Sequence, residues 1–320
     1  MLITKRDNCI GIGKESARGT KVAPVLWIPL KSFDFEDKTE KVIDDSGYGI
    51  IEDSVDDIVV KQWAEGSIGG NVYSENFGLI LYALLGTLSS GSVIDSSYTH
   101  SVSVQQGHQH QSLTISLDDA LNENAYPLAM ISTLEITAEV GGFVEYSAEF
   151  YSKVSESAGT ITPSYTAEKP FTAKDVTLKL ADDLSGLSGA SVINVKTVKL
   201  TVEKDLEPDD ILGSDDPNDI LNKQVMVSGE IELLYEANTY KAYAQAGTNK
   251  AMRIAIISGD TIGAGSTPYS LTIDLAKVSF DWGKEIGDDL ARQTLTFKGM
   301  YSLSDASMIT ASLVNATVSY

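Results

Sequence analysis

"KQWAEGSIGGNVYSENFGLILYALLG" (residues 61–86) is answered further along the chain by "KQVMVSGEIELLYEANTYKAYAQAG" (residues 223–247). Both start with Lys-Gln and reach a tyrosine, Tyr73 or Tyr235, at the same distance. Both then run into a helix-like stretch that stops at a glycine. Residues 75–86 place Phe77, Ile80, Leu81 and Leu84 on one helical face, ended by Gly86. Residues 236–247 do the same more thinly with Tyr240, Tyr243 and Ala244, ended by Gly247. The spacing predicts one core-facing helix in each stretch.

Almost everything else reads as strand. "VKTVKLTVEK" (195–204), "STLEITAEV" (132–140), "VEYSAEFYS" (144–152) and "QTLTFKGMYS" (293–302) alternate apolar and polar residues with period two. Their β-branched and aromatic residues suit a pleated, half-buried surface. Two further matches keep the order of the first pair: "SLTISL" (112–117) with "SLTIDL" (270–275), and "EFYS" (149–152) with "GMYS" (299–302). Ordered matches at a shift of about 160 residues argue for duplication. The polar, proline-bearing stretch 156–170 reads as a linker. The division expected is an N-terminal arm (1–30), a first β-domain (31–155), the linker and a second β-domain (171–320). Residues 25–153 and 190–320 are expected to superpose as two copies of one mostly-β domain with a single flanking helix.

Composition removes several function classes. At 320 residues there is enough chain for two ordinary domains. No apolar run reaches the ~20 residues a spanning helix needs, so no membrane partner is expected. Cys9 is alone, which excludes an internal disulfide framework and a cysteine-based zinc cluster. The N-terminus has no apolar h-region of a cleaved secretory signal. A net charge of −21 disfavours binding a nucleic-acid backbone, yet suits a wall that DNA slides past.

No motif carries chemistry. "GIGKES" (11–16) places Glu15 between Lys14 and Ser16, where a phosphate loop needs the hydroxyl directly after lysine. His108 and His110 would share a strand face, but only His100 remains to join them as a metal ligand. "DLEPDDILGSDDPND" (205–219) lacks the calcium-loop pattern and carries Pro208 and Pro217, so it reads as a loop. Carboxylates for glycoside hydrolysis abound without a pair that sequence spacing singles out. Trp27, Trp63 and Trp282 are isolated and read as core or interface anchors. No catalytic residue, cofactor or metal is assigned.

The ordered set "GIGKESARGTKVAPVLWIPL" (11–30), "WAEGSIGGNV" (63–72), "FGLILYALLG" (77–86) and "HQSLTI" (110–115) resembles the tail tube proteins of long-tailed, non-contractile bacteriophages. The resemblance is clearest over residues 11–153, and the second half joins through its repeat of the first. It implies a mostly-β fold: tail-tube-like β-sandwich or barrel domains with a flanking helix, forming rings stacked into a hollow virion tube. It also implies assembly in the host cytoplasm, contacts with tape-measure and terminator proteins, and passage of viral DNA without specific binding. Many such subunits carry one copy of the fold and form hexameric rings; two copies per chain would let three chains build a pseudo-sixfold ring. The alternatives are a β-sandwich adhesin or carbohydrate-binding module and an acid/base hydrolase.

Charge placement suggests where subunits meet. The first thirty-one residues hold Lys5, Arg6, Lys14, Arg18, Lys21 and Lys31 against Asp7 and Glu15. One acidic loop carries Asp44, Asp45, Glu52, Asp53, Asp56 and Asp57; a second carries Asp205, Glu207, Asp209, Asp210, Asp215, Asp216 and Asp219. A basic arm and two acidic loops are complementary surfaces for self-association, or independently solvated clusters. The first reading makes these residues the candidate subunit interface and the glycine-rich stretch a docking arm, flexible until bound.

Overall fold

The computed structural model describes residues 7–91, 96–119, 121–286 and 291–320. Its first half contains β1 (Cys9–Lys14), β2 (Leu26–Ile28), β3 (Ser32–Asp44), β4 (Asp56–Asn71), α1 (Phe77–Leu85), β5 (Gly86–Ser90), β6 (Tyr98–Val104), β7 (Leu113–Asp118), β8 (Glu123–Glu139), β9 (Val144–Ser152) and β10 (Glu156–Ser157). The second contains β11 (Val176–Ala181), β12 (Val192–Ile193), β13 (Thr197–Asp209), β14 (Asp219–Leu234), α2 (Thr239–Ala246), β15 (Lys250–Thr261), β16 (Pro268–Ile286), β17 (Ala291–Gly299) and β18 (Ile309–Asn315). Both helices fall inside the stretches that spacing selected and stop at a left-handed glycine, Gly86 or Gly247. The fold is mostly antiparallel β.

Strand partners recur. In the first half β1 lies between β2 and β7, and β7 pairs with the start of β8, which also holds β10. The rest of β8 pairs with β9, β9 with β4, and β4 with β3. In the second half β11 lies between β12 and β15, and β15 pairs with the start of β16, which also holds β18. The rest of β16 pairs with β17, β17 with β14, and β14 with β13. The two lists coincide once the hairpin β5–β6, which pairs with β18, is set aside.

Register agrees as well as order. Ser32 faces Gly69 and Thr197 faces Glu232, so β3 maps onto β13 at an offset of 165 (197 − 32) and β4 onto β14 at 163 (232 − 69). The bulge between Glu40 and Lys41 then falls on the bulge between Asp205 and Leu206. Gly66 falls on Gly229, and in each case a β-carbon would run into the backbone oxygen of the facing strand: 1.6 Å from Asp34 O and 2.2 Å from Lys199 O. Asp34 and Lys199 are themselves a matched pair at the 165 offset.

This register corrects the sequence matches. Lys61-Gln62 corresponds to Gln224-Val225, one residue from the Lys-Gln pair that resembles it. Such a slip would turn each side chain to the opposite face. "SLTISL" lies mainly in β7 but "SLTIDL" opens β16, whose partners are those of β8. Phe150 faces Gly66 and Phe297 faces Gly229, so "EFYS" corresponds to residues 296–299, three before "GMYS".

One buried cluster runs through both halves, from Ile10 and Phe77 to Phe280 and Leu313. The second half of β8 also pairs with β13, Leu134 opposite Val202 and Ile136 opposite Leu200. That seam joins the halves into an eight-stranded sheet in the order β3-β4-β9-β8-β13-β14-β17-β16.

The stretch expected to be a linker is stitched down. β10 pairs with β8, Pro170 bridges to Tyr73, and Phe171 is buried. The Glu168 carboxylate accepts from the Glu75 backbone N–H at 2.7 Å and from the Asn76 side chain, at the start of α1. Burial pushes this carboxyl up to about 7.

Candidate assembly surface

The eight-stranded sheet has one apolar and one polar face, because directly paired residues point to the same side. Ile136, Leu200, Phe297 and Phe280 lie in one cross-strand row and are buried. Glu145, Thr137, Lys199, Glu230, Thr296 and Asp281 form a neighbouring row across six strands, each at least partly solvent-accessible. A second row, Asp34, Ser67, Glu149, Thr133 and Glu203, has the same character. Over these two rows six carboxylates stand against one lysine.

The sheet ends in two edges. β3 pairs only with β4, and residues 281–286 of β16 pair only with β17, among the described residues. The edge β3 carries Asp34, Glu36, Asp37, Lys38, Glu40 and Lys41, charges that discourage indiscriminate strand pairing.

Two long hairpins leave the sheet past their matched bulges. The hairpin β13–β14 is seated on the first half of its own chain. Ile220, fully buried, and Leu206 pack on Leu128, Met130 and Tyr151. The Arg18 guanidinium donates to Asp219 Oδ1 at 2.6 and 2.9 Å, to Ile220 O at 2.7 Å and to His110 O. Partial burial raises the Asp219 carboxyl, but hydrogen bonds from Arg18 and Gln109 outweigh it and leave the group below the usual range. Lys204 on β13 is buried and donates to Ala83 O of α1 at 3.1 Å; burial, helped by the Arg18 charge, pushes its ammonium down to about 7.

Past its bulge the hairpin β3–β4 has no such seat among the described residues. Ile43 and Ile58 are 61% and 62% exposed, and Ile51 at the tip is fully exposed. Position 57, which corresponds to Ile220, is an aspartate paired with Lys41 of the same hairpin. Asp44 accepts from Ser46 and Tyr48, and its hydrogen bonds to Ser46 hold its carboxyl low. Asp45, Glu52, Asp53 and Asp56 are exposed.

The remaining charged residues singled out by sequence are placed as follows. Lys5 and Arg6 lie outside the described residues. Lys14 reaches Tyr320 O, and Lys21 reaches Ser157 O and Glu156. Asp205 and Glu207 share Lys223, Asp209 accepts from Asn218, Asp210 pairs with Lys61, and Asp215 accepts from Gln62. Asp216 is half-buried, and that burial raises its carboxyl. Of the basic residues, Arg18 is therefore joined to the second acidic loop within one chain.

"GIGKES" is an inner strand with a buried anchor, not a loose arm. A β-carbon on Gly13 would lie 2.6 Å from Ala23 O, so the segment that follows β1 folds tightly back on it. The Glu15 carboxylate is buried and accepts from Gly19 N, Ser112 Oγ, Thr114 Oγ1 and Leu128 N. It thereby fixes Leu128, whose positive φ of 57° marks the bend where β8 passes from one set of partners to the other.

The histidines bridge segments. His110 is buried between Leu84 O and Gln105 O, and burial, then Lys204, lowers its imidazole. His108 meets Asn222 O, and His100 meets Ser90 and Thr317 O. Trp27 is in the core against Tyr165, and Trp282 is covered by Lys241. Among the described residues no three of His, Cys, Asp and Glu are grouped to hold a metal ion.

A family model described as phage tail tube protein matches residues 5–299. The chain belongs to that family. No curated protein matches it at a meaningful level. As a tail tube family member it is a structural component of a phage tail, and the edges, polar face and unseated hairpin are the parts of its surface to be explained. Sequence reasoning missed Lys204 and the β8–β13 seam, since neither a buried lysine nor a strand partner leaves a local signal.

Proposed function

We propose that the chain is two tandem copies of one tail-tube fold, and that chains join edge to edge into rings which stack as the DNA-conducting tube. The observation that carries this reading is the seam inside the chain. β8 pairs with β13, and their counterparts, the second part of β16 and β3, are the free edges. Repeating the internal seam between chains is a heterologous contact, which closes when its rotation closes.

The register follows. Glu149 corresponds to Thr296, so Thr133 corresponds to Asp281; Glu203 corresponds to Lys38 at the 165 offset. The Thr133–Glu203 pair thus becomes Asp281 opposite the next chain's Lys38, with Gly283 opposite its Glu36. The first of these brings opposite charges together on facing strands. Three chains of eight strands, spaced and tilted as in closed sheets, give a barrel roughly 150 Å around and roughly 50 Å across.

The polar rows then line the lumen, where carboxylates repel phosphates and a single lysine is left to hold them. Tight binding of duplex DNA to tubes at moderate salt would contradict this. The tip of β3–β4, apolar at Tyr48, Ile50, Ile51 and Val55 between Asp45, Glu52 and Asp53, extends toward the adjoining ring, with basic N-terminal residues as its charge partners. Tape-measure and terminator proteins would meet the tube at its lumen and end. No catalytic role is assigned; the tube acts by its shape and charge.

The test is a disulfide between Lys38→Cys and Asp281→Cys in a Cys9→Ser background. Oxidised tubes should show a ladder of covalent oligomers ending at a closed trimer. Tubes that assemble without cross-linking would overturn the seam, and a ladder reaching six would overturn the trimeric ring.

A further inference from the structure

We infer that the hairpin β3–β4 of each chain seats on the second half of the adjoining chain, and that Asp57 is received there by Lys277 and Lys298. This rests on the edge-to-edge reading above and adds the contact that reading leaves open.

The seated hairpin β13–β14 supplies the template. Its Ile220 and Leu206 meet Leu128, Met130 and Tyr151. The registers translate each partner. At the 163 and 165 offsets, Ile220 and Leu206 correspond to Asp57 and Lys41. Tyr151 faces Glu65 and Lys298 faces Ser228, which are equivalent at the 163 offset, so Tyr151 corresponds to Lys298. Met130 faces Tyr151 as Ser279 faces Lys298, and Leu128, two residues earlier, corresponds to Lys277.

An apolar contact inside the chain is therefore matched by a charged one between chains. The hairpin side carries Asp57, paired with Lys41 of the same hairpin, with Asp56 beside it in sequence and Asp44 opposite Asp56. The receiving side carries Lys277, half-buried, and Lys298, exposed. Among the described residues neither lysine has an ion-pair partner. Two of the three receiving positions exchange an apolar or aromatic side chain for lysine (Leu128 for Lys277, Tyr151 for Lys298), and the third exchanges Met130 for Ser279. The hairpin side exchanges Ile220 and Leu206 for the Asp57–Lys41 pair, of which Asp57 is the half that lysines attract. Charge pairing of this kind fixes register and rejects wrong partners more than it adds affinity. Charges at positions 41 and 57 keep a copy of the Leu206–Ile220 patch off a hairpin that already exposes Ile43, Ile51 and Ile58.

The experiment exchanges the charges and measures the protein concentration needed for tube assembly. The disulfide formed by Lys38→Cys with Asp281→Cys serves as a separate readout of the seam. Asp57→Lys alone, and Lys277→Glu with Lys298→Glu, should each raise that concentration by about tenfold. Combining all three should bring it back to within about twofold of wild type. Thermal unfolding of each free subunit should stay near wild type, since the residues are surface-accessible. Rescue supports the seat. Loss without rescue, or no loss, while the seam still cross-links overturns the seat and leaves the ring reading standing. Absence of the seam cross-link in an otherwise wild-type background overturns both.

Discussion

The two hairpins β3–β4 and β13–β14 share thirteen facing pairs and a bulge at the same place, yet past that bulge one is gripped by its own chain and the other is exposed. The backbone plan is therefore independent of the environment. What differs is the side chains past the bulge: Leu206, Ile220 and Asn222 on one, Lys41, Asp57 and Val59 on the other. A chain that holds its second hairpin and leaves its first exposed has a built-in polarity, as the proposed head-to-tail growth would require.

Moving the difference from one hairpin to the other should break the comparison most strongly. Ile220→Asp places a carboxylate in a fully buried site with no partner, an expected loss of about 3–5 kcal/mol in denaturant unfolding. Asp57→Ile, the reverse exchange, should leave the free subunit within about 0.5 kcal/mol. Equal effects would mean that the hairpins are not held differently. Removing the clamp instead of the core contact comes next. Arg18→Ala leaves the half-buried Asp219 without its main partner and should cost about 2–3 kcal/mol. Asp56→Asn, at the position matching Asp219, should be near neutral.

How far the sequence spoke of this can be followed residue by residue. The helices were legible because Phe77, Ile80, Leu81 and Leu84 obey a helical period and because two stretches end alike at a glycine. The registration was not. "KQ" and "KQ" invited an alignment one residue away from that of Gly66 and Gly229, whose demand comes from a facing strand's oxygen that no local pattern encodes. Arg18 and Asp219 were both singled out by charge, but that they meet each other depends on β13 joining β8. Glu15 was legible only as a fault in a phosphate loop; its four donors come from residues 19, 112, 114 and 128. Long-range pairing decides all three.

Lys204 offers a pH test of the seam. Its counterpart on β3, Thr39, is exposed, so only the internal seam carries the buried ammonium. With a folded pKa of about 7 against an ordinary value near 10.5, the unfolded chain binds the extra proton between those values. Stability then rises with pH from about 7 to 10, by up to about 1.4 kcal/mol per unit, and the penalty is complete below 7. Lys204→Met should flatten that slope in unfolding titrations. Glu168, raised to about 7, acts in a lower window and in the opposite sense: stability falls as pH rises from about 4.5 to 7. Glu168→Gln should remove that decline and leave the alkaline limb untouched.

The smallest expected effect sharpens the comparison most finely. Lys61 pairs with Asp210 at 2.5 Å, joining the two hairpins within a chain, and both side chains are partly exposed. A double-mutant cycle on this pair should give a coupling of about 0.2–1 kcal/mol at low salt, fading as the Debye length shrinks to about 3 Å at molar salt. At the offsets of 165 and 163, Asp210 corresponds to Asp45 and Lys61 to Gln224, so the proposed contact between chains would lack its cation. Gln224→Lys supplies one. It should leave free-subunit stability unchanged and lower the concentration needed for assembly by a few-fold at low salt, since about 0.5 kcal/mol is roughly a factor of two per contact and each ring repeats it. The gain should vanish in Asp45→Asn and at high salt. A gain that survives Asp45→Asn would mean that the new lysine meets some other acid, and the register that carries one hairpin onto the other would not extend to its tip.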